Sequence, residues 1–244
     1  MRNIRLVLAY EGTAYHGFQR QPNAPTVQEA VEKKLACITG EPAQVIVAGR
    51  TDAGVHATGQ VINFHTSGRI PIERVVLAFN GIAPFDIVAR HPAEVPLEFH
   101  ARFSARARTY RYYLWRAGPS PFLRRYTCRV RLPADAPERM RTALSALIGE
   151  HDFTSFCAAG AETDTRVRTV TQASLTEHGP LLRLTMTADG FLQSMVRIVT
   201  GTLLEIGVGK REPAEMAEIL AARDRTVAGE TVPPYGLFLT RVAY

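Results

Sequence analysis

The order in which the hydrophobic period changes along the first hundred residues is the tightest constraint on how this chain can fold. Residues 3 to 10 alternate weakly and run into the turn sequence "YEGT", the pattern of a strand. "TVQEAVEKKLACITG" then takes up a helical period: Thr26 and Glu29 form a capping box, Val27, Ala30, Val31 and Leu35 share one face, and Gly40 closes the far end. A short apolar run, Val45 to Ala48, precedes a loop. "QVINFH" leaves that loop with Val61, Asn63 and His65 opposite Ile62 and Phe64. "IERVVLAFNGIAP" reads as a second helix ending near Gly81, and "DIVARH" as a further strand. The resulting order, β-α-β-loop-β-α-β, is that of a split β-α-β unit.

The second half repeats this mixed order. "RTYRYYLW" alternates as a strand, "PERMRTALSALIGEHDF" is helical, and "VRTVTQASLTEHGPLLRLTMTADG" is a hairpin turning at His178 and Gly179. An apolar helix from Phe191 to about Ile206 follows, then a short helix around "PAEMAEILAARD" and a final strand, "GLFLTRVAY". The expectation is an α+β chain of two ferredoxin- or RRM-like halves, residues 1–103 and 104–244. Their mixed, mainly antiparallel sheets would join into one extended sheet around a central cleft that takes the ligand.

Composition narrows the class of partner. Of 244 residues 46% are hydrophobic and 21% charged, enough for one large or two small globular cores. Cys37, Cys128 and Cys157 show no CxxC or CxxH spacing, so neither a disulfide framework nor a zinc site is expected, and a reducing cytoplasm is the default setting. No apolar run reaches membrane length, and the N-terminal run Leu6 to Tyr10 is too short for a signal core. The net charge of +6 favours a polyanion, and its distribution says where: His100 to Arg131 holds nine arginines, interleaved with aromatics, and no Asp or Glu.

The loop between the two central strands, "AGRTDAGVHATGQ", places glycine at 49, 54 and 59 and fills the gaps with Arg50, Thr51, Asp52 and His56. Asp52 reads either as an Asx-turn residue bonding its own backbone or as a carboxylate held in a cleft beside a cation. Arg50 is the nearest cation in sequence. His56 has no histidine at metal-ligand spacing and is assigned to loop packing, with no metal expected.

Seven segments in order carry a family resemblance: "YEGTAYHGFQRQ", "TVQEAVEKKL", "GRTDAGVHATGQV", "FHARFSARARTYRY", "HDFTSF", "GFLQSMVRIVTGTLLEIG" and "GLFLTRVAY". Together they span nearly the whole chain and resemble the successive blocks of the tRNA pseudouridine synthase A family. The resemblance implies the pseudouridine synthase fold and a cofactor-free isomerase that turns uridine into pseudouridine at positions 38–40 of the tRNA anticodon stem-loop. It also implies a cytoplasmic homodimer in which one tRNA touches both subunits.

By the same resemblance Asp52 is the essential nucleophilic carboxylate, and Arg50 helps hold the flipped-out nucleotide. Tyr110 stacks on the target base and is the candidate for removing its C5 proton. Arg197 pairs with the aspartate, and Leu237 packs beside the base. Arg20, Arg102, Arg106, Arg108 and Arg111 are the choices for phosphate contacts; on an alternating strand Arg106 and Arg108 share the face of Tyr110 while Arg111 points away. Tyr15 and Phe18 offer either stacking surfaces for RNA or the bracing of their own turn. One stretch departs from the resemblance: after "HDFTSF" some relatives carry a basic residue, where this chain has "CAAGAETDTRVRTV" with Glu162 and Asp164.

Two other classes fit parts of the pattern. A non-catalytic RNA-binding module of two RRM-like halves would share the element order, but no RNP1-like "GFGFVxF" run is present. A carboxylate glycosidase would need a second acid-base carboxylate, and no paired acidic motif accompanies Asp52.

Overall fold

The structure is a computed structural model and describes residues 1–82, 84–161 and 163–244. The chain divides into two compact units: Met1–Arg106 together with Phe238–Tyr244, and Ala107–Leu237. The sequence-based boundary assigns the C-terminal strand to the second half, whereas residues 238–244 pack with the first.

In the first unit the elements follow the sequence order. They are β1 (Arg2–Tyr10), α1 (Val27–Thr39), β2 (Val45–Val47), β3 (His56–Thr66), α2 (Ile72–Asn80) and β4 (Ile87–Val95), joined by β10 (Leu237–Ala243). β1 lies antiparallel between β4 and β3; β2 pairs antiparallel with the far half of β3, and β10 pairs in parallel with its start at His56 and Ala57. The order β4-β1-β3-β2 is that of a split β-α-β unit, as the alternation of periods requires. Thr26 caps α1 by accepting from the Glu29 backbone N–H, and Gly40 ends the helix in the left-handed region at φ 77°.

Register explains why both faces of this sheet are covered. Ile4 opposes Phe64 and Leu6 opposes Ile62, all fully buried on the face that carries Leu8 and Tyr10. On the opposite face Asn63 Nδ2 donates to Asn3 Oδ1 (2.8 Å) and its Oδ1 accepts from the Ala101 N–H (2.8 Å), drawing the segment after β4 onto the sheet. Phe99 then packs on Tyr244, whose hydroxyl donates to the Ala101 carbonyl.

The second unit contains β5 (Ala107–Trp115), β6 (Cys128–Arg129), α3 (Ala136–Leu144), β7 (Gly149–Asp152), β8 (Val167–His178), β9 (Leu181–Ala188), α4 (Met195–Gly207) and α5 (Glu215–Ala222). Within it the strands run β6-β5-β9-β8-β7, parallel only between β5 and β6. Tyr110, Tyr112 and Leu114 of β5 face the core with Leu182, Leu184 and Met186 of β9.

Three expectations are corrected here. The helix anticipated through "GEHDF" stops at Leu144 and a 3-10 turn, and Gly149 (φ 110°) starts a strand, β7, in its place. The loop read from Ala48 to Gln60 ends sooner, because β3 already begins at His56 and its residues Ala57 and Gln60 pair with β1. The apolar helix begins at Met195, not Phe191, because Ser194 sits in the left-handed region at φ 59° and cannot continue a helix backward.

Candidate active site

Asp52 lies in the connection between β2 and β3, where regular pairing lapses and the backbone is held by its neighbours. The Ala48 N–H still donates to the Val61 carbonyl (2.9 Å). Beyond it, the loop that follows β1 takes over: Phe18 N–H donates to the Thr51 carbonyl (3.0 Å), and Gly54 N–H donates to the Tyr15 carbonyl (3.1 Å). Asp52 is itself half-buried, and its carbonyl accepts from Val55 N–H, closing a turn in which Gly54 has φ 75°. That turn is the local reason for glycine after "TDA".

Beneath the loop the sheet contributes side chains. The Tyr10 hydroxyl meets Thr51 Oγ1 at 2.8 Å, and Gln60 Nε2 donates to the Gly49 carbonyl at 2.7 Å. Burial, only partly offset by the bonds to Thr51 and Gln60, pushes the Tyr10 phenol up to about 12, so it keeps its proton. His56 is fully buried, its ring stacked on Phe238 (4.6 Å between centroids), and its Nδ1 accepts from the Gly12 N–H. Packing is therefore its role here, as the sequence reading has it.

Tyr110, Arg108, Arg197 and Leu237 belong to the second unit. Tyr110 lies across from Met186 on β5, nearly buried, and meets the Phe191 ring edge-on at 5.0 Å. Arg108 shares its face of the strand and donates from Nη1 to the Asp189 carbonyl (2.6 Å). Arg106 precedes the strand and is exposed, so only Arg108 has the alternation expected of both.

With the helix starting at Met195, Arg197 is its third residue rather than one third of the way along. It is half-buried, and its Nε donates to the Val232 carbonyl (2.8 Å). A cation in the first turn adds to the positive end of the helix dipole, an arrangement that favours an anion nearby. Leu237 is buried at the start of β10.

The remaining candidate arginines differ in exposure. Arg50 and Arg102 are exposed, the latter with its guanidinium over the Phe103 ring at 5.5 Å. Arg20 is exposed but tied at 2.5 Å to Glu32, whose other oxygen accepts from Gln28 and from Val45 N–H. Arg111 is half-buried on the other face of β5 from Tyr110. Phe18 is fully buried and Tyr15 nearly so, its hydroxyl donating to Asp86, which decides between their two readings: they brace their own turn. Asp164 is exposed, and Glu162 lies outside the described residues. Among the described residues no three His, Cys, Asp or Glu side chains gather to hold a metal, and no helix is long and apolar enough to cross a membrane.

Sequence reasoning missed Tyr10, Gln60, Gly12 and Phe191. The parity of Tyr10 with Leu6 and Leu8 was the one available signal that its hydroxyl points inward.

Comparison with known proteins agrees with the residue pattern. Residues 6–104 and 143–244 match the family described as tRNA pseudouridine synthase. The chain is 48% identical over 244 residues to tRNA pseudouridine synthase A of Moorella thermoacetica, covering 99% of each chain. It is 47% identical over 245 residues to the protein of that name from Brevibacillus brevis and 44% over 247 residues to the one from Caldicellulosiruptor bescii, with all of each chain covered in both cases.

Proposed function

Because the chain belongs to the tRNA pseudouridine synthase family, we propose that it isomerises uridine to pseudouridine in tRNA, at positions 38–40 of the anticodon stem-loop, with Asp52 as the reacting carboxylate. The observation that carries the reading is the construction of the Asp52 loop: backbone bonds on both sides fix a half-buried carboxylate in an irregular segment that makes no ladder of its own.

The reaction balances within the nucleotide. The bond from N1 to C1′ breaks and one from C5 to C1′ forms; the C5 proton leaves and N1 gains one, so no oxidant, reductant or cofactor is consumed. A stacked uridine must first be extruded, at about a few kcal/mol, which arginine contacts to the flanking phosphates supply. Arg20, Arg102, Arg106 and Arg108 are assigned to those phosphates, and Arg50 to the flipped nucleotide. Tyr110 and Leu237 clamp the detached base while it turns, and Tyr110 takes the C5 proton. Asp52 adds covalently and is displaced again, as a carboxylate can be. Arg197, whose Nε donates to the Val232 carbonyl from the first turn of α4, is assigned as the cation for the Asp52 carboxylate. The working enzyme is a cytoplasmic homodimer whose two subunits share one tRNA.

The alternative of a binding module built on RRM-like sheets loses support from the first unit, where Phe99, Ala101 and Tyr244 cover the face on which bases would stack.

The test is tritium release from a tRNA transcript carrying 5-tritiated uridine, with the modified positions mapped afterwards. The wild-type protein should release tritium and leave pseudouridine only within positions 38–40. Asp52→Asn should release none yet bind tRNA within a few-fold of wild type. Free uracil among the products, or binding without release by the wild type, refutes the reading.

A further inference from the structure

The strands beneath the Asp52 loop bury an unusual amount of polarity at one spot. Tyr10 ends β1, and a bulge between Leu8 and Tyr10 shifts its partner on β3 to Ala57, so that its phenol reaches both Thr51 and Gln60. Gln60 is fully buried and Thr51 is 6% exposed. The direction of the bonds follows from chemistry. The Gly49 carbonyl can only accept, so the NH2 side of the Gln60 amide must face it. That same nitrogen lies 3.4 Å from the Tyr10 oxygen. The phenol therefore accepts from Gln60 and shares a second hydrogen bond with the Thr51 hydroxyl.

Gln60 pays for this. Its Oε1 is buried with no hydrogen-bond partner among the described residues, and flipping the amide would set two acceptors against each other at Gly49. A buried unpaired carbonyl lowers stability and offsets part of what the bond to the Gly49 carbonyl contributes. Glutamine here is thus better explained by what it holds than by what it adds to the fold. What it holds, with Tyr10, is the loop at Gly49 and Thr51, three residues and one residue before Asp52.

We propose that Gln60, Tyr10 and Thr51 form a positioning chain that sets the orientation of the Asp52 carboxylate from below. The proposal rests on the reading of Asp52 as the reacting group. Backbone bonds at Thr51 and Gly54 fix the path of the loop; the side-chain bond to Thr51 fixes the rotation of the segment entering Asp52. A displacement of about 1 Å at a reacting group costs on the order of a hundredfold in rate.

The experiment measures single-turnover tritium release, tRNA affinity and thermal unfolding for the full chain carrying Tyr10→Phe, Gln60→Leu, Thr51→Val or Thr51→Ser. Tyr10→Phe, Gln60→Leu and Thr51→Val should each slow the chemical step about ten- to a hundredfold with tRNA affinity within about twofold. Gln60→Leu removes the unpaired Oε1 together with the donor to the Gly49 carbonyl, two opposed effects, so its unfolding temperature should move by no more than roughly a few degrees while the chemical step slows, an outcome a merely structural role does not give. Thr51→Ser should recover most of the rate lost in Thr51→Val, and Tyr10→Phe combined with Thr51→Val should be little slower than either alone, since both remove one bond. Rates within twofold of wild type in Tyr10→Phe and Gln60→Leu, or losses that multiply in the double variant, overturn the proposal alone. A wild-type protein that releases no tritium overturns the reading of Asp52 and the proposal with it.

Discussion

Gly12→Ala separates the placement of Asp52 from the presence of its carboxylate. Gly12 follows β1, and its N–H donates to His56 Nδ1 while its α-carbon lies against the Val55 peptide. A Cβ at this position would fall 2.0 Å from the Val55 carbonyl oxygen and 2.6 Å from its carbon. Ordinary contact begins at 3.4 Å, so the Val55 peptide must retreat by about 1.4 Å or the Gly12 segment must swing away with the bond to His56. The obstacle is backbone, not a flexible side chain, and Val55 is three residues from Asp52 and bonded to its carbonyl. Overpacking of this kind costs about 1–3 kcal/mol. At about 2–4 °C per kcal/mol for a chain of this size, the unfolding midpoint should fall by roughly 2–12 °C. Rate should suffer more, on the order of a hundredfold in single-turnover tritium release, because the loop moves further than the roughly 1 Å that such chemistry tolerates. Gly40→Ala is the control: Gly40 has φ 77° with nothing within 4 Å of the added carbon, so strain costs about 1 kcal/mol of stability and leaves the rate untouched. If Gly12→Ala turns over at the wild-type rate, or if Gly40→Ala loses as much rate as Gly12→Ala, the coupling between this contact and Asp52 is wrong.

Arg106→Ala should weaken tRNA binding and lower the slope of log affinity against log salt by about one, while Arg108→Ala, whose guanidinium already serves the Asp189 carbonyl, should change the slope less; titrations at several salt concentrations decide it, and an unchanged slope in the double variant removes this segment from the RNA surface. The Glu41 carboxylate accepts from the Ser67 hydroxyl, the Thr66 hydroxyl and the Ser67 N–H, which hold it down at about 2 against an ordinary 4.5. A depressed carboxyl stabilises the fold above its unfolded value and loses that contribution as pH falls through the folded one, so Glu41→Gln should be less stable than wild type near neutrality and converge with it between about pH 4.5 and 2 in acid unfolding curves. Lys34→Met should be well tolerated in rate but not in stability, since Nζ donates to the carbonyls of Pro84 and Ile87 and leaves both short of a partner when removed; thermal unfolding against tritium release reads the two apart.

What could be read in the sequence was whatever depends on period and caps. In the first unit the order of elements was legible, and Thr26 and Gly40 bound α1 closely, but the glycine-spaced stretch read as loop hid the start of β3 at His56. The C-terminal strand was legible as a strand but not as a partner of β3, since pairing with His56 and Ala57 joins residues about 180 positions apart and leaves no local mark. The start of α4 was misplaced because "GFLQ" is apolar enough to read as helix, and only the left-handed Ser194 forbids it. In the site, residue types pointed to Asp52 and to an arginine-rich surface, but nothing short of coordinates distinguishes Phe18 as core from Phe18 as stacking platform, or shows that Tyr10 reaches under the loop.

The local rules that this chain breaks are instructive because of where they break. Thr26 and Gly40 do what helix termini ask, and α1 carries none of the residues assigned to chemistry. By contrast, Ser194 holds a left-handed conformation that costs a non-glycine residue about 1–3 kcal/mol, and three residues later Arg197 puts a cation at the positive end of a helix. Gln60 buries an unpaired carbonyl beneath the loop of Asp52. Each of these lowers stability by itself; a glycine at 194 and a glutamate at 197 would relieve the first two, and at 60 the unpaired carbonyl offsets part of what the bond to Gly49 contributes. An anion at the start of α4 would reverse the second cost, and on the proposed reading of Asp52 a carboxylate that must point in one direction gives the third a purpose. On that reading the stability given up in two separate segments serves the chemistry proposed for each, a negative group held still in one and a fixed cation in the other.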